Sequence, residues 1–328
     1  TLDSVGNERN TLGMFGSGYI ELLAREMTED LHAVRDEALS RSRNSGTSIT
    51  VDLVTKGVSF GSLTAQPDGS LRTEAIEGID DDLIVKPFHQ KGAVISLRQF
   101  TNNALNHHHG IQSEERFGAK VDPDGDGVMS ELTVGDLTAI TVFQATLAMP
   151  EYVAPTGAKA RRAARRGEEQ FGSIGCATCH FAELPLRNTV FTEPNPFNPQ
   201  ANLRLSDVNA ALEFDLQPLA GYLHQNEAGE YLVPVFTDLK RHSMGTALNN
   251  EVLEQDGIPT DEWLTRKLWG VASEPPFLHN GRASLISEAI LLHGGEAQAS
   301  RDLFDDLPDA EKADIVEFIK ALQIKVAE

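Results

Sequence analysis

The sequence predicts a mainly α-helical protein with one small β-hairpin, divided into an α-rich module over residues 1–155 and a second helical module over residues 156–328. Three observations carry this. Apolar residues recur at spacings of three and four over several long windows, the signature of amphipathic helices. Strict alternation occurs once, where Ile49, Val51 and Leu53 precede Lys56-Gly57 and then Val58 and Phe60, as in a hairpin. The stretch "PEYVAPTGAK" from Pro150 puts two prolines and a glycine between helical patterns, which marks a boundary.

Taken in order, Leu23, Met27, Leu31, Val34 and Ala38 continue a stripe from Ile20, so residues 18–40 are expected to form the first helix. Ser96 can cap a helix carrying Leu97, Phe100 and Ala104. Thr133 with Asp136 reads as a capping box before Leu137, Ile140, Phe143 and Leu147, with Pro150 as the stop. Beyond the boundary, "KARRAARRGEEQFG" (158–171) reads as a short basic helix. Pro308 suits the start of a last helix with Ile315, Phe318, Ile319 and Leu322 on one face. There are no internal repeats or low-complexity tracts.

The 328 residues are ample for a hydrophobic core without disulfides. With 28 Lys and Arg against 49 Asp and Glu, the net charge of -21 repels nucleic acid and anionic lipid. A basic or neutral protein suits this surface better as a partner. No apolar run approaches the roughly 20 residues of a membrane helix, and the opening at Thr1 without a charged, apolar leader predicts a processed or trimmed chain.

The only two cysteines lie in "GCATCHF", where Cys176, Cys179 and His180 form Cys-x-x-Cys-His. A redox dithiol or half of a zinc site also uses Cys-x-x-Cys, but zinc would want two more ligands at similar spacing, and no second pair exists. The adjacent histidine points to covalent haem c: thiols three apart on a helical turn can add to two vinyl groups of one haem, leaving the next side chain beneath the iron. Such attachment is made in the bacterial periplasm or in organelle spaces derived from it, so a periplasmic, exported protein is expected. The iron then needs a sixth ligand or an opening for one. Downstream stand His224, His242, His279, His293 and Met244. Ser284 can cap a helix with Leu285, Ala289 and His293 on one face, which makes His293 the candidate and Met244 the alternative.

The segment "PPFLHNGRASLISEAILLHGG" resembles the corresponding region of bacterial di-haem cytochrome c peroxidases and the related methylamine-utilisation enzyme. With Leu268-Trp269-Gly270, Leu278-His279-x-Gly281-Arg282 and Leu291-Leu292-His293-Gly294-Gly295 together, it is most similar to the di-haem, thiol oxidoreductase-like branch. The resemblance covers residues 160–324, and more loosely "SLRQFTNNALNHHHGIQSEERFG" at 96–118. It implies a cytochrome c-like haem domain whose first and last helices cross. It also implies His279 and Arg282 beside haem propionates, Trp269 close to the porphyrin, and His293 as sixth ligand in a bis-histidine variant. One departure is large: such enzymes attach two haems, and this chain has one attachment motif. The opening "NTLGMFGSGYIELLARE" resembles the stretch after the first haem, so a missing N-terminal haem segment or a separate haem subunit is an expected partner.

A second cofactor, calcium, is suggested by "DPDGDGVMSELT" (122–133). Asp122, Asp124 and Asp126 alternate before Gly127, and the Val128 carbonyl follows, as at the start of an EF-hand loop. Position twelve is Thr133 rather than Glu, with Glu131 as a substitute. The resemblance also implies calcium ligands near Glu274 and Pro276. His107, His108 and His109 cannot all reach one ion, since neighbours on a helix point about 100° apart, and they suit a helix C-terminus. Lys159, Arg161, Arg162, Arg165 and Arg166 form either a solvated face or a dock for an acidic redox partner. Three function classes follow: the electron-relay part of a peroxidase-like di-haem oxidoreductase, a stand-alone mono-haem electron-transfer cytochrome, and a haem-based ligand sensor.

Overall fold

The first apolar stripe forms helix α1, Ser17–Ser45, in the computed structural model, which describes residues 6–219 and 223–324. Tyr19, Ile20, Leu22, Leu23, Met27, Leu31 and Ala38 are buried along it. It outlasts the apolar pattern because Ser42 is buried with its hydroxyl donating to the Thr47 carbonyl (2.7 Å). Gly46, at φ 70°, then ends it with a backbone bond back to Ser42. The hairpin forms as expected: β1 (Ile49–Thr55) pairs antiparallel with β2 (Val58–Ala65), in register Thr55 with Val58. Lys56 and Gly57 both take positive φ, the geometry of a two-residue hairpin turn. A short β3 (Leu71–Arg72) extends the sheet, and α1 covers it through Leu53, Val58, Phe60 and Leu63.

Helix α2 (Leu97–His109) is capped by Ser96, whose hydroxyl accepts from Gln99 N (3.1 Å), and α3 is the single turn Glu114–Phe117. Helix α4 (Val134–Ala145) opens with the reciprocal Thr133 and Asp136 capping box. Each such cap contributes about 1 kcal/mol. Helix α5 (Ala158–Ser173) is the basic helix; α6 (Ile286–Leu291), α7 (Gln298–Asp306) and α8 (Asp309–Ile319) close the fold. Pro308 sits at the cap position of α8.

Two cores result. The smaller one packs Phe171 and Ile174 at the end of α5 against Phe304 of α7 and Ile315, Phe318 and Ile319 of α8. Helices α5 and α8 touch backbone to backbone at Gly167, where a Cβ would lie 1.9 Å from the Asp314 carbonyl oxygen. Only glycine permits that approach, and any side chain there forces the pair apart at about 1–3 kcal/mol or more. The larger core runs from Tyr19 to Trp269 and includes Leu184, Leu186, Phe191, Leu216, Val233 and Val235. It therefore passes through the expected boundary at 155: residues 184–269 pack on α1 and the hairpin as well as on the closing helices.

The fold is more mixed than the sequence suggests. Among the described residues, eight α-helices share it with five sheets, one of three strands and four of two. Pairs such as Leu184–Leu186 with Tyr231–Val233 and Val190–Glu193 with Leu212–Asp215 are too short for an alternating pattern to register. Among the described residues, no helix is long and apolar enough to cross a membrane.

Candidate functional site

Helix α5 delivers the cysteine motif. Past Ser173 the chain turns at Gly175 (φ 89°), where a Cβ would meet the Ser300 hydroxyl at 2.8 Å, and enters a 3-10 turn at Cys176–Thr178. His180 N bonds back to the Cys176 carbonyl (3.0 Å), so both thiols and the imidazole share one turn. The thiols are free and half-buried, and burial pushes Cys176 up to about 11.

All three side chains line a cavity of about 300 Å³, a volume within the range of small-ligand sites. Apolar residues of the smaller core and its neighbours, among them Phe171, Leu268, Val271, Ile286 and Ile290, form much of its wall. His293 lines the same cavity. It stands two residues past the end of α6, which is shorter than expected because Ser284 does not cap it; the Glu288 carboxylate does, accepting from Ser284 N and Leu285 N.

The two imidazoles are held alike. His180 Nδ1 meets the Phe236 carbonyl at 3.0 Å and His293 Nδ1 meets the Ala289 carbonyl at 2.8 Å. A carbonyl only accepts, so Nδ1 carries the proton in each ring. Burial, with the neighbouring His293 and His242, pulls His180 down to about 4; burial also lowers His293. Both rings are therefore neutral near pH 7, with a bare Nε2, the state in which histidine binds a metal. Met244 lines the cavity as well. It is carried beside His293 because Ser243–Gly245 and Gly294–Gly295 approach closely: a Cβ on Gly295 would lie 2.1 Å from the Ser243 oxygen.

The remaining downstream histidines are accounted for differently. His224 is exposed. His242 is clamped between Asp238 (2.8 Å, Nε2) and Glu296 (2.7 Å, Nδ1). Burial opposes its charged form, but hydrogen bonds to Asp238, Cys179 and Glu296 outweigh it and hold His242 up at about 11. Cys179, Asp238 and His242 lie close to one another, with both ring nitrogens of His242 engaged by the Asp238 and Glu296 carboxylates. His279 also lines the cavity, stacked on Trp263 (3.7 Å, 16°) with Nε2 on Asn250 (2.8 Å). Burial, then Arg9 and Arg282, lowers it to about 3.

Two expected residues are placed elsewhere. Arg282 does not line the cavity; its guanidinium donates to the Ala247 carbonyl. Trp269 is 3% exposed in the larger core behind the wall, where its ring takes the space a Cβ on Gly16 would need. Arg266, Lys267 and Trp263 are wall residues that no motif announced.

Asp122, Asp124 and Asp126 converge, each pair of carboxylates within 4.8 Å. Asp122 accepts from Gly125 N and Gly127 N. Glu131 does not join them: its carboxylate accepts from Gln112 N (2.6 Å), and Thr133 caps α4. Glu274 pairs with Arg266 (3.1 Å), and the Pro276 carbonyl accepts from Asn10. His107, His108 and His109 are exposed in the last turn of α2. Lys159, Arg161, Arg162 and Arg165 are exposed on α5, while Arg166 makes a two-pronged pair with Asp314 (2.7 and 2.8 Å).

No curated protein matches the chain. Among solved structures it is similar to hydrazine synthase of Kuenenia stuttgartiensis, at 15% identity over 81% of this chain and 78% of that one (TM-score 0.38). It is also similar to a MauG-like protein associated with microbial copper homeostasis, at 16% identity over 97% of this chain and 92% of that one (TM-score 0.34). At such scores neither likeness carries an argument. Residues 222–322, which hold His279, Arg282 and His293, match the family described as "Di-haem oxidoreductase, putative peroxidase", and the resemblance seen in the sequence is to that family.

Proposed function

We propose that this is an exported, periplasmic c-type haem protein of the peroxidase-like di-haem oxidoreductase type, whose haem relays electrons to or from a second reactive haem or a redox partner. Cys176 and Cys179 would hold the group through thioethers, and His180 and His293 would each offer an imidazole nitrogen to its iron. The observation that carries this reading is the pairing of two half-buried, neutral imidazoles, each with Nδ1 on a backbone carbonyl, in one cavity wall with the chain's only two thiols. When bound, the group supplies a one-electron couple.

The chain's own residues do the rest. The Phe236 and Ala289 carbonyls fix both tautomers and ring orientations, the role that partners of metal-bound histidines play generally. Burial keeps the rings unprotonated. The largely apolar wall would limit the access of water to the group, and the carbonyl-held rings of His180 and His293 would keep their place. Exposed cations of α5, which leads directly into the attachment turn, suit an acidic redox partner.

Haem count per chain, intact mass and absorption with and without cyanide and peroxide test the reading. One thioether-bound, low-spin haem on residues 176–180, working with a second, ligand-responsive haem on a preceding segment or subunit, is the expected result. An intact mass with two free thiols overturns it. A single attachment motif favours one other reading, a stand-alone mono-haem electron-transfer cytochrome; one inert haem and full electron-transfer competence would select it. A single haem that binds cyanide would make the protein a ligand sensor instead.

The 122–126 loop we assign to calcium, held by Asp122, Asp124, Asp126 and the Val128 carbonyl, without Glu131. Calcium is expected to raise the melting temperature of the parent chain and not that of Asp124→Ala/Asp126→Ala. Parent melting curves that coincide with and without calcium remove the site.

A further inference from the structure

The geometry points to Arg266 and Lys267 as an anion clamp in the cavity wall that receives the carboxylates of the bound tetrapyrrole. This rests on the haem reading above, and it moves the carboxylate site away from Arg282, the residue the resemblance suggests. Arg282 is spent on a backbone carbonyl outside the cavity lining. Arg266 and Lys267 belong to the lining, in a run that continues into Leu268 and Val271 of the wall that also holds the cysteine turn.

Both cations are enclosed by protein yet keep intermediate exposure, because the surface they leave open is the cavity itself. Their charges are not balanced. Lys267 Nζ donates to the carbonyls of Gly13 (2.8 Å) and Phe15 (3.3 Å) and forms no ion pair among the described residues. Arg266 meets Glu274 (3.1 Å), which takes one of the guanidinium's five N–H donors. Arg266 and Lys267 thus share the single carboxylate of Glu274 at this part of the wall, although the whole chain carries -21. Burial, followed by the adjacent Arg266, pulls Lys267 down to about 7. An enclosed lysine that meets only carbonyl dipoles keeps an unbalanced charge, and taking a charge out of water is unfavourable unless it is paired. An occupant that brings its own carboxylates removes the imbalance, and a fork plus a point charge suits two of them.

The test uses the haem-loaded chain. Lys267→Met and Arg266→Gln are compared with the parent by redox titration and by the propionate bending bands in resonance Raman spectra, with intact mass reporting attached haem. Each variant is expected to lower the reduction potential, because a lost cation no longer stabilises the added electron, and to shift the propionate bands. Lys267→Arg, which keeps the charge, is expected to hold the parent potential. Haem-bearing variants with parent-like potential and bands overturn the clamp and leave the haem assignment standing. So does a Lys267→Arg shift as large as that of Lys267→Met, since packing and not charge would then be responsible. A parent chain with no attached haem overturns the underlying reading instead. If Lys267→Met does not accumulate as folded protein, the potential and propionate bands of Arg266→Gln decide for or against the clamp.

Discussion

His293→Ala is expected to convert the haem-loaded protein from a low-spin to a high-spin absorption spectrum, across essentially the whole population, and to let it bind cyanide. Alanine brings no donor atom, and the Ala289 carbonyl that orients the imidazole has nothing left to hold. The nearest substitute is Met244, which the close contact of Ser243–Gly245 with Gly294–Gly295 keeps beside the vacated space. Met244→Leu alone should leave the spectrum low-spin. If His293→Ala stays low-spin and Met244→Leu turns high-spin, the sixth ligand is Met244 and the bis-histidine assignment fails. The parent spectrum should also persist as the pH falls below the ordinary histidine range near 6.5. Burial lowers both rings, so each stays deprotonated to lower pH than a solvated imidazole and continues to offer Nε2.

What could be read in advance was whatever the chain encodes locally. Cys176, Cys179 and His180 fall within five residues, so their gathering on one turn follows from spacing alone. Caps are equally local: Ser96 and Thr133 act within three residues of themselves, and the Lys56-Gly57 turn is set by its own backbone. The wall of the cavity is another matter. His242 is defined by Glu296, 54 positions away in the chain, and Lys267 by the Gly13 and Phe15 carbonyls, more than 250 away. Nothing in "TRKLWG" distinguishes a lysine that faces a cavity from one that faces solvent. Trp269 and Arg282 sit within motifs of the resemblance, yet the first faces the larger core and the second a loop carbonyl. The boundary at 155 was read from turn chemistry, which reports where helices stop and is silent on which strands cross back to α1.

Arg98→Met should destabilise the folded protein by about 3–5 kcal/mol, the cost of removing one partner from a buried ion pair. Arg98, in "SLRQF", is fully buried, and its guanidinium ties α2 to Glu193, to Glu115 of α3 and to Thr138 of α4. Glu193 stands beside Glu21 of α1, whose carboxylate accepts from Leu97 N (2.7 Å) and Asn195 Nδ2 (2.7 Å). Burial, with Glu193 next, raises Glu21 to about 7, and burial also raises Glu193 and Glu115 despite Arg98. Without the cation their folded values rise further. A carboxyl group raised on folding loses stability as the pH climbs above its unfolded value near 4.3. The deficit of Arg98→Met should therefore be smallest near pH 5 and grow towards pH 8. Denaturant unfolding at those two pH values measures it. A deficit under about 1 kcal/mol, the worth of an exposed pair, or one that shrinks as the pH rises, would mean that Arg98 is not the counter-charge on which Glu193 and Glu115 depend.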